Sequence, residues 1–147
     1  MFKHILMPVD GTEFSEHAID AGIRFAQSIQ ARITGFIAEP ALTRSGVGEM
    51  IAHRSENTED FAKQTRSQAE TVLRRIAQRA RAAGVAFNSS FVQSDDPAEA
   101  IVNTAEENQC DLIVMASHGR RGLDRLMYGS VTEKVMTRTA IPVLVLH

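Results

Sequence analysis

The residues with the clearest chemical potential lie in the last third of the chain. The apolar run Leu112-Ile113-Val114-Met115 stops at Ala116-Ser117-His118-Gly119, and after nine further residues come Gly129 and Ser130. An apolar strand that ends in a glycine-containing loop and continues as a helix presents backbone N–H groups to a phosphate. Glycine also lets a backbone approach a ligand closely and adopt positive φ. The spacing therefore favours a phosphate site at a helix N-terminus.

A second interpretation of the same residues needs no ligand. Ser130-Val131-Thr132-Glu133 is typical of a capping box, in which the Glu133 side chain returns to the backbone of Ser130. Three nearby arginines, Arg120, Arg121 and Arg125, fit either a phosphate or a solvated surface loop. The residues alone leave both interpretations open.

Two further polar residues stand next to apolar runs. Asp10 follows the run 5–9, where a carboxylate can accept a ribose hydroxyl or hold a divalent ion such as Mg²⁺ beside phosphates, or can simply cap the next helix. His118 could act as a base or a metal ligand, but no HExxH, CxxC or similar spacing accompanies it, which favours a hydrogen-bonded loop histidine.

Motifs for rapid catalysis are missing from the sequence. There is no GxxxxGK[ST] loop and no GxSxG elbow, and the turn 10–15 is not the glycine-serine loop of α/β adenylating enzymes. Without a lysine at the phosphates or an identifiable general base, the sequence gives no basis for fast phosphoryl transfer. A binding module with at most slow hydrolysis is favoured over a nucleotide hydrolase that uses Asp10 and His118.

Composition narrows the class of protein. A chain of 147 residues with 44% hydrophobic and 23% charged residues fits one globular domain. Its 16 basic and 18 acidic residues leave no positive field for nucleic acid or anionic lipid. The single cysteine, Cys110, cannot form an internal disulfide and is expected in the core. No segment resembles a signal peptide or a membrane span, so we expect a cytoplasmic protein.

Five apolar segments alternate with amphipathic ones and must position these groups. The predicted strands are 5–9, 33–38, 85–93, 112–115 and 143–146, and the predicted helices follow Thr12 or Ser15 and cover 58–83, 97–108 and 130–137. Continuous apolar strands are typical of a parallel sheet that is covered on both faces. The alternation predicts a doubly wound α/β fold, with the polar third strand at an edge.

Local signals fix several of the helix ends. Asp96-Pro97-Ala98-Glu99 predicts a capping box with proline in the first turn, and Gly84 predicts the end of the preceding helix. The segment 41–56 has no clear period and is interpreted as a mobile or functional loop or a short irregular helix. The inner face of the long second helix is predicted to carry Phe61, Ala69, Val72, Leu73, Ile76 and Ala80.

Along nearly its whole length the chain resembles the universal stress protein family. The resemblance rests on 5–15 at the first strand and turn, on 116–119 with Gly129-Ser130, and on Ile141-Pro142-Val143-Leu144-Val145. It implies one domain over 1–147, with the family's adenine nucleotide alpha hydrolase-like fold: a five-stranded parallel sheet in the order 3-2-1-4-5 with helices on both faces. It also implies a homodimer in which the strands 143–146 pair across a two-fold axis.

The resemblance further implies an ATP site with Mg²⁺. Pro8, Val9 and Asp10 would line the adenine and ribose, with Asp10 on the ribose or magnesium. Ile37 and Met115 would contact the base. Four residues would hold the phosphates: Gly119, Gly129, Ser130 and Val131. Ala116 and His118 would also belong to the site.

One position departs from the family pattern. ATP-binding members carry glycine, two residues, glycine, nine residues, and glycine followed by serine or threonine, and Ala116 replaces the first glycine. Its methyl group is compatible with negative φ but crowds a ligand if the backbone must pass closely. The expected function is a dimeric, ATP-binding stress sensor or regulator; the alternative is a dimeric interaction protein of the same fold that does not bind ATP.

Overall fold

The chain folds around one five-stranded sheet. The structure is a computed structural model that describes residues 1–9, 13–39, 58–116 and 129–146. Its strands are β1 His4–Pro8, β2 Arg32–Glu39, β3 Phe87–Gln93, β4 Leu112–Ala116 and β5 Val143–Leu146. Its helices are α1 Glu13–Ile29, α2 Thr58–Ala82, α3 Pro97–Glu107 and α4 Ser130–Arg138.

The strand order is β3-β2-β1-β4-β5, and every neighbouring pair is parallel. The chain leaves β1 toward β2 and β3 on one side and returns to β4 and β5 on the other. The order of strands therefore reverses between β1 and β4, the place where doubly wound folds bind ligands. This confirms the predicted fold class and strand order.

Each face of the sheet has its own apolar core, because successive strand residues point to opposite faces. Ile5 and Met7 pack with α1 and α2 on one face, whereas Leu6 and Phe36 pack with α3 and α4 on the other. Cys110 is buried in the second core, as expected, and burial raises the pKa of its thiol to about 11. The helices thus cover both faces, as predicted.

Several predicted boundaries shift by one or two residues. The first strand begins at His4 and ends at Pro8 rather than covering 5–9. The third strand begins at Phe87 rather than at Val85, which is buried in the connection before it. Since α1 begins at Glu13, Ser15 lies inside the helix and is not its N-cap. The assignment of Phe61 to the inner face of α2 was wrong, because its side chain is 43% exposed.

The ends of the helices show which local signals were readable. Gly84 follows α2 with φ of +73°, as the glycine stop predicts. Gln30 and Gln109 adopt similar left-handed conformations, at φ of 56° and 54°, just after α1 and α3, although glutamine is not a typical residue there. Within the described ranges no helix is both long and apolar enough to cross a membrane.

Candidate functional site

The most informative feature of the sheet is the seam between β1 and β4. The described pairing of these strands ends at Leu6 with Ile113. By contrast, β1 stays paired with β2 as far as Pro8, and β4 stays paired with β5 as far as Ala116. The backbone N–H of Val9 also donates to the carbonyl of Phe36 on β2, at 2.8 Å. The described pairing of β1 with β4 therefore ends before either strand does, at the switch point where doubly wound folds hold ligands in a crevice, and we call this unpaired end the parted seam. Pro8, which has no N–H to donate toward β4, ends the ladder there.

Four of the predicted site residues lie at this crevice. Continuing the register of Leu6 with Ile113 places Pro8 level with Met115 and Val9 level with Ala116. Val9 and Met115 are buried, whereas Pro8 and Ala116 are half-buried. By strand alternation, Met115 faces the core under α3 and α4, and Ala116 faces the opposite side.

Ile37 lies one strand away from the crevice. It is on β2, where it pairs with Phe91 of β3, and its side chain is 3% exposed within the core under α1 and α2. Val9 belongs to the same apolar core. The register of β1 with β2 places Ile37 level with Val9 and one strand further from β4, and its contact with the base stays a prediction.

The N-terminus of α4 supplies the second half of the candidate site. Gly129 is its N-cap, and the helix begins at Ser130. The first intrahelical hydrogen bond runs from the N–H of Glu133 to the carbonyl of Gly129, at 3.1 Å. The preceding N–H groups in the first turn have no carbonyl within the helix to bond. Because the N-cap is glycine, it offers them no side-chain acceptor.

The capping-box interpretation of 130–133 was wrong. A capping box requires the serine at the N-cap, whereas Ser130 occupies the first helical position and is exposed. Of the two properties that glycine permits, positive φ is not used at Gly129: its φ is −52° with ψ of 149°, a region open to any residue. Conformational strain therefore does not explain glycine at this N-cap, whereas its missing side chain leaves room for another group to approach.

Val131 and Thr132 hold α4 in place. Val131 is half-buried and packs onto the core that contains Leu6 and Met115, and Thr132 is 2% exposed. The next turn is fixed by Val135, which is fully buried. The helix start is thus anchored to the side of the sheet on which Met115 lies.

Ala116 has the backbone of an ordinary strand residue. It pairs with Leu146 of β5, and the residues with positive φ among the described non-glycines are Gln30 and Gln109. Its methyl group is therefore unstrained in this conformation. The departure from the family motif concerns the space left for a ligand and does not concern the backbone.

Three of the predicted site residues, Asp10, His118 and Gly119, lie outside the described residues. So do the alternative helix cap Thr12, the arginines of the loop after β4 and the segment 41–56. Asp10, Gly119 and His118 stay predictions for this reason. Among the described residues, no group of three or more His, Cys, Asp or Glu side chains is arranged to hold a metal ion.

Beside the candidate site, α3 begins with a complete cap. The carboxylate of Asp96 accepts the N–H of Glu99 at 3.1 Å and the guanidinium of Arg138, at the end of α4, at 2.7 Å. The hydrogen bond from Arg138 and then that from Glu99 lower the pKa of the Asp96 carboxyl. The predicted reciprocal bond from Glu99 is replaced, since the N–H of Asp96 donates to Ser94 Oγ at 3.2 Å.

Sequence reasoning missed the parted seam and a polar cluster at the opposite end of β1. Strand pairing with β4 ends beyond Leu6 because Pro8 has no N–H to donate, and this signal was present in the sequence. The sequence analysis gave His4 no role, because it is an isolated histidine. A signal did exist, because His4 stands two residues before the buried Leu6 and therefore shares its face.

Comparison with known proteins gives a consistent result. The sequence model described as the universal stress protein family matches residues 1–147. Universal stress protein YxiE of Bacillus subtilis is 28% identical over 149 residues, which cover 100% of both chains. The solved structure of MJ0577, a Methanocaldococcus jannaschii protein, is 27% identical with a TM-score of 0.80, and the match covers 99% of this chain and 96% of that one.

Two more distant structures share the fold and contain nucleotides. A universal stress protein in complex with cAMP has a TM-score of 0.70 at 22% identity, over 99% of this chain and 97% of that one. An Archaeoglobus fulgidus universal stress protein in complex with dAMP has a TM-score of 0.66 at 18% identity, over 99% of this chain and 98% of that one. At these identities the likeness extends to the fold alone.

Proposed function

The chain belongs to the universal stress protein family, and we propose that it binds an adenine nucleotide, ATP in the first place, in the crevice between β1 and β4. The observation that carries this proposal is the parted seam, with the glycine-capped N-terminus of α4 following β4 in the chain. The crevice offers a slot for a flat base, and the helix start offers N–H groups to phosphates.

The donor chemistry of this helix start suits a phosphate. Gly129 brings no side chain, so an anion can approach the N–H groups of Ser130 and Val131 without displacing a cap. The macrodipole of α4 adds a favourable positive potential at the same place. The hydroxyl of Ser130, exposed in the first turn, is a further donor.

The nucleotide complexes of the family support the choice of ligand. The complexes with cAMP and dAMP share an adenine base and a phosphate, although they differ in the sugar and in the phosphate linkage. In this chain, Pro8 and Met115 at the crevice are apolar surfaces suited to a base. Asp10 is proposed to hold the ribose or Mg²⁺, and His118 and Gly119 are proposed to lie beside the phosphates.

The biological role that we propose is that of a cytoplasmic, single-domain stress sensor or regulator, with at most slow hydrolysis.

In this proposal the protein is a homodimer in which β5 pairs with the β5 of a second copy. β5 is an edge strand of the sheet, and all four of its residues are apolar and only half-buried. An uncharged apolar edge is an aggregation hazard unless a partner covers it. Replacing Val145 with Glu should yield monomers or insoluble protein in light scattering, and an unchanged dimer would contradict this interface.

A second function is favoured by Ala116. Its methyl group stands at the carboxyl end of β4, where the family's ATP-binding pattern has glycine. If this methyl group fills the space of the ribose or the phosphates, the protein is a dimeric interaction protein with the same fold and no bound ATP. The structure of the strand is compatible with either function because Ala116 is unstrained.

Calorimetric titration with ATP and Mg²⁺ tests the proposal. The wild type is expected to bind ATP and to discriminate against GTP, since the crevice would recognise the base. Ala116→Gly should bind at least as tightly, and Ala116→Val should bind more weakly because it enlarges the side chain at the same place. Mass spectrometry of the denatured protein would show whether a nucleotide is already bound after purification.

The outcomes separate the two functions. Binding by both the wild type and Ala116→Gly supports the ATP function. Binding by Ala116→Gly alone supports the interaction protein. An absence of both heat and thermal stabilisation at millimolar nucleotide, in the wild type and in Ala116→Gly, would overturn nucleotide binding at this crevice.

A further inference from the structure

His4 occupies an unusual position for a histidine. It is the first residue of β1, at the end of the strand opposite to the crevice, and it is 5% exposed. Its Nε2 atom lies 2.8 Å from the hydroxyl oxygen of Thr34 on β2, and Thr34 is itself 1% exposed. The imidazole therefore bridges two neighbouring strands in the interior.

The other ring nitrogen of His4 lacks a partner. Among the described residues, Nδ1 is the buried side-chain atom that makes no hydrogen bond. A neutral imidazole satisfies the Thr34 contact in either tautomer, since a hydroxyl can donate or accept. A protonated imidazole carries N–H on both nitrogens, and on the Nδ1 side its buried charge would have the Asn108 backbone as its favourable neighbour, outside hydrogen-bonding geometry. Such a group is costly in a protein interior.

The charges around His4 were considered on each element that packs against it. Arg32 at the start of β2 repels a proton on the ring, whereas the Asp111 carboxylate before β4 and the Asn108 backbone after α3 favour one. The Cys110 thiol stays neutral because its pKa is raised to about 11. Burial and then Arg32 outweigh the two opposing groups and lower the pKa of His4 from its ordinary value of 6.5.

The backbone of His4 is part of the same junction. Its N–H and that of Lys3 donate to the two carboxylate oxygens of Asp111, at 2.9 Å and 2.8 Å. Its carbonyl accepts the N–H of Asp111 at 2.9 Å, and the carbonyl of Lys3 accepts the N–H of Arg32 at 3.0 Å. The residue thus joins β1 to β2 through its side chain and to the start of β4 through its backbone.

We propose that His4 is a proton-sensitive lock at the amino end of the sheet: the neutral imidazole holds β1 against β2 under the end of α3, and protonation in acid releases this junction. The lock is independent of the nucleotide crevice, because it uses neither the carboxyl ends of the strands nor the start of α4. Acidification therefore loosens this protein from the end of the sheet opposite to the proposed nucleotide crevice.

The direction of the pH effect follows from linkage. The unfolded chain takes up the proton with the ordinary pKa of 6.5, while the folded chain resists it. The contribution of His4 to stability is therefore fully present above pH 6.5 and is lost as the pH falls below that value. The unfolding constant can rise by up to about tenfold per pH unit, which is the limit for one proton.

Two variants and one titration test the lock. His4→Gln keeps an amide near the Thr34 hydroxyl and removes the titration, and His17→Gln is the matched control, because His17 is exposed on α1. Denaturant unfolding between pH 5 and pH 8 should show a weaker pH dependence for His4→Gln than for the wild type and for His17→Gln. Amide hydrogen exchange in the wild type should speed up at the start of β1 and at Thr34 as the pH falls.

Nuclear magnetic resonance titration of the wild-type imidazoles keeps the proposal testable even if His4→Gln fails to fold. The His4 resonance should show a titration midpoint below pH 6.5, or should show no titration until the protein unfolds in acid. A His4 midpoint at or above 6.5 would overturn the lock. Identical pH dependence of unfolding in the wild type and a folded His4→Gln would overturn it as well.

Discussion

Two helices on the same face of the sheet begin in opposite ways. At α3, the carboxylate of Asp96 accepts the N–H of Glu99 and also holds Arg138. At α4, the N-cap is Gly129, which has no side chain to offer. Both helix starts present the same backbone donors and the same positive end of a macrodipole. The protein supplies its own anion at α3 and none from the N-cap of α4.

The difference separates a structural helix start from a binding one. A carboxylate at an N-cap completes the helix and repels any second anion, so α3 is closed to phosphate. Glycine at an N-cap gives up a little stability and leaves room for a phosphate. The parted seam adjoins β4, the strand that leads to α4, and this makes α4 the start at which a ligand is expected.

The largest effect should come from giving α4 the cap of α3. Gly129→Asp fits the backbone, because φ of −52° is open to any residue. The new carboxylate would satisfy the first-turn N–H groups and stand within about 4 Å of a bound phosphate. Repulsion of this kind should weaken ATP binding by at least about 100-fold in calorimetry. The free energy of unfolding should rise by only about 0.3 kcal/mol.

Gly129→Asn is the control for charge, since asparagine caps a helix as well as aspartate does. It should weaken binding less than Gly129→Asp, because it fills the space without adding a negative charge. ATP affinity that is the same in Gly129→Asp as in the wild type would mean that the start of α4 does not hold the phosphates.

The reverse change removes the cap of α3. Asp96→Ala takes away both the acceptor for Glu99 and the partner of Arg138, and the melting temperature should fall by about 3–6 °C. ATP affinity should stay within about twofold of the wild type, because α3 is not part of the crevice. Calorimetric scanning and titration measure the two quantities on the same sample.

Asp96→Asn serves as the matched variant for that experiment. It keeps a side-chain acceptor for the cap and loses the ion pair with Arg138. Because exposed ion pairs contribute little, it should lose clearly less thermal stability than Asp96→Ala. An equal loss in the two variants would assign the stabilisation to the ion pair and would weaken the comparison between the helix starts.

Much of the fold was readable from the sequence because its signals are local. Continuous apolar runs predicted the strands, and their alternation with helices predicted parallel pairing. Asp96 and Pro97 predicted the start of α3, and Gly84 predicted the end of α2. The error at Phe61 has the same origin, since helical spacing marks a face but does not say how far the sheet extends beneath it.

The candidate site was harder to predict because it depends on spacing between strands. The sequence identified Gly129 and Ser130 but left Ser130 as a possible N-cap, since Ser-x-x-Glu satisfies the pattern of a capping box without any ligand. The sequence left open whether Gly129 serves close approach or positive φ, and its φ in the structure is −52°. The φ of Gly129 excludes a conformational need, and the room beside it depends on tertiary packing around α4, which a local sequence pattern does not encode.

A smaller effect should appear in acid and should concern α3. The pKa of Asp96 is lowered by Arg138 and by the N–H of Glu99, so its carboxylate stabilises the fold above the ordinary value of 3.8 and loses this effect as the pH falls through the native pKa. The difference in melting temperature between the wild type and Asp96→Asn should therefore stay constant from pH 8 to about pH 4 and shrink below it. A difference that persists unchanged at pH 2.5 would rule out the charge of Asp96 as its cause.

The smallest effect is expected at Ser130, and it decides between the two interpretations of its sequence pattern. If Ser130 were the N-cap, replacing it with Ala would cost about 1 kcal/mol of unfolding free energy. In the structure it is the first helical residue and exposed, and alanine is the better helix former. Ser130→Ala should therefore leave the unfolding free energy without nucleotide within about 0.5 kcal/mol of the wild type in denaturant titration. A loss of about 1 kcal/mol of unfolding free energy would mean that the Ser130 side chain caps α4 as Asp96 caps α3. That result would contradict the proposed phosphate site at the start of α4.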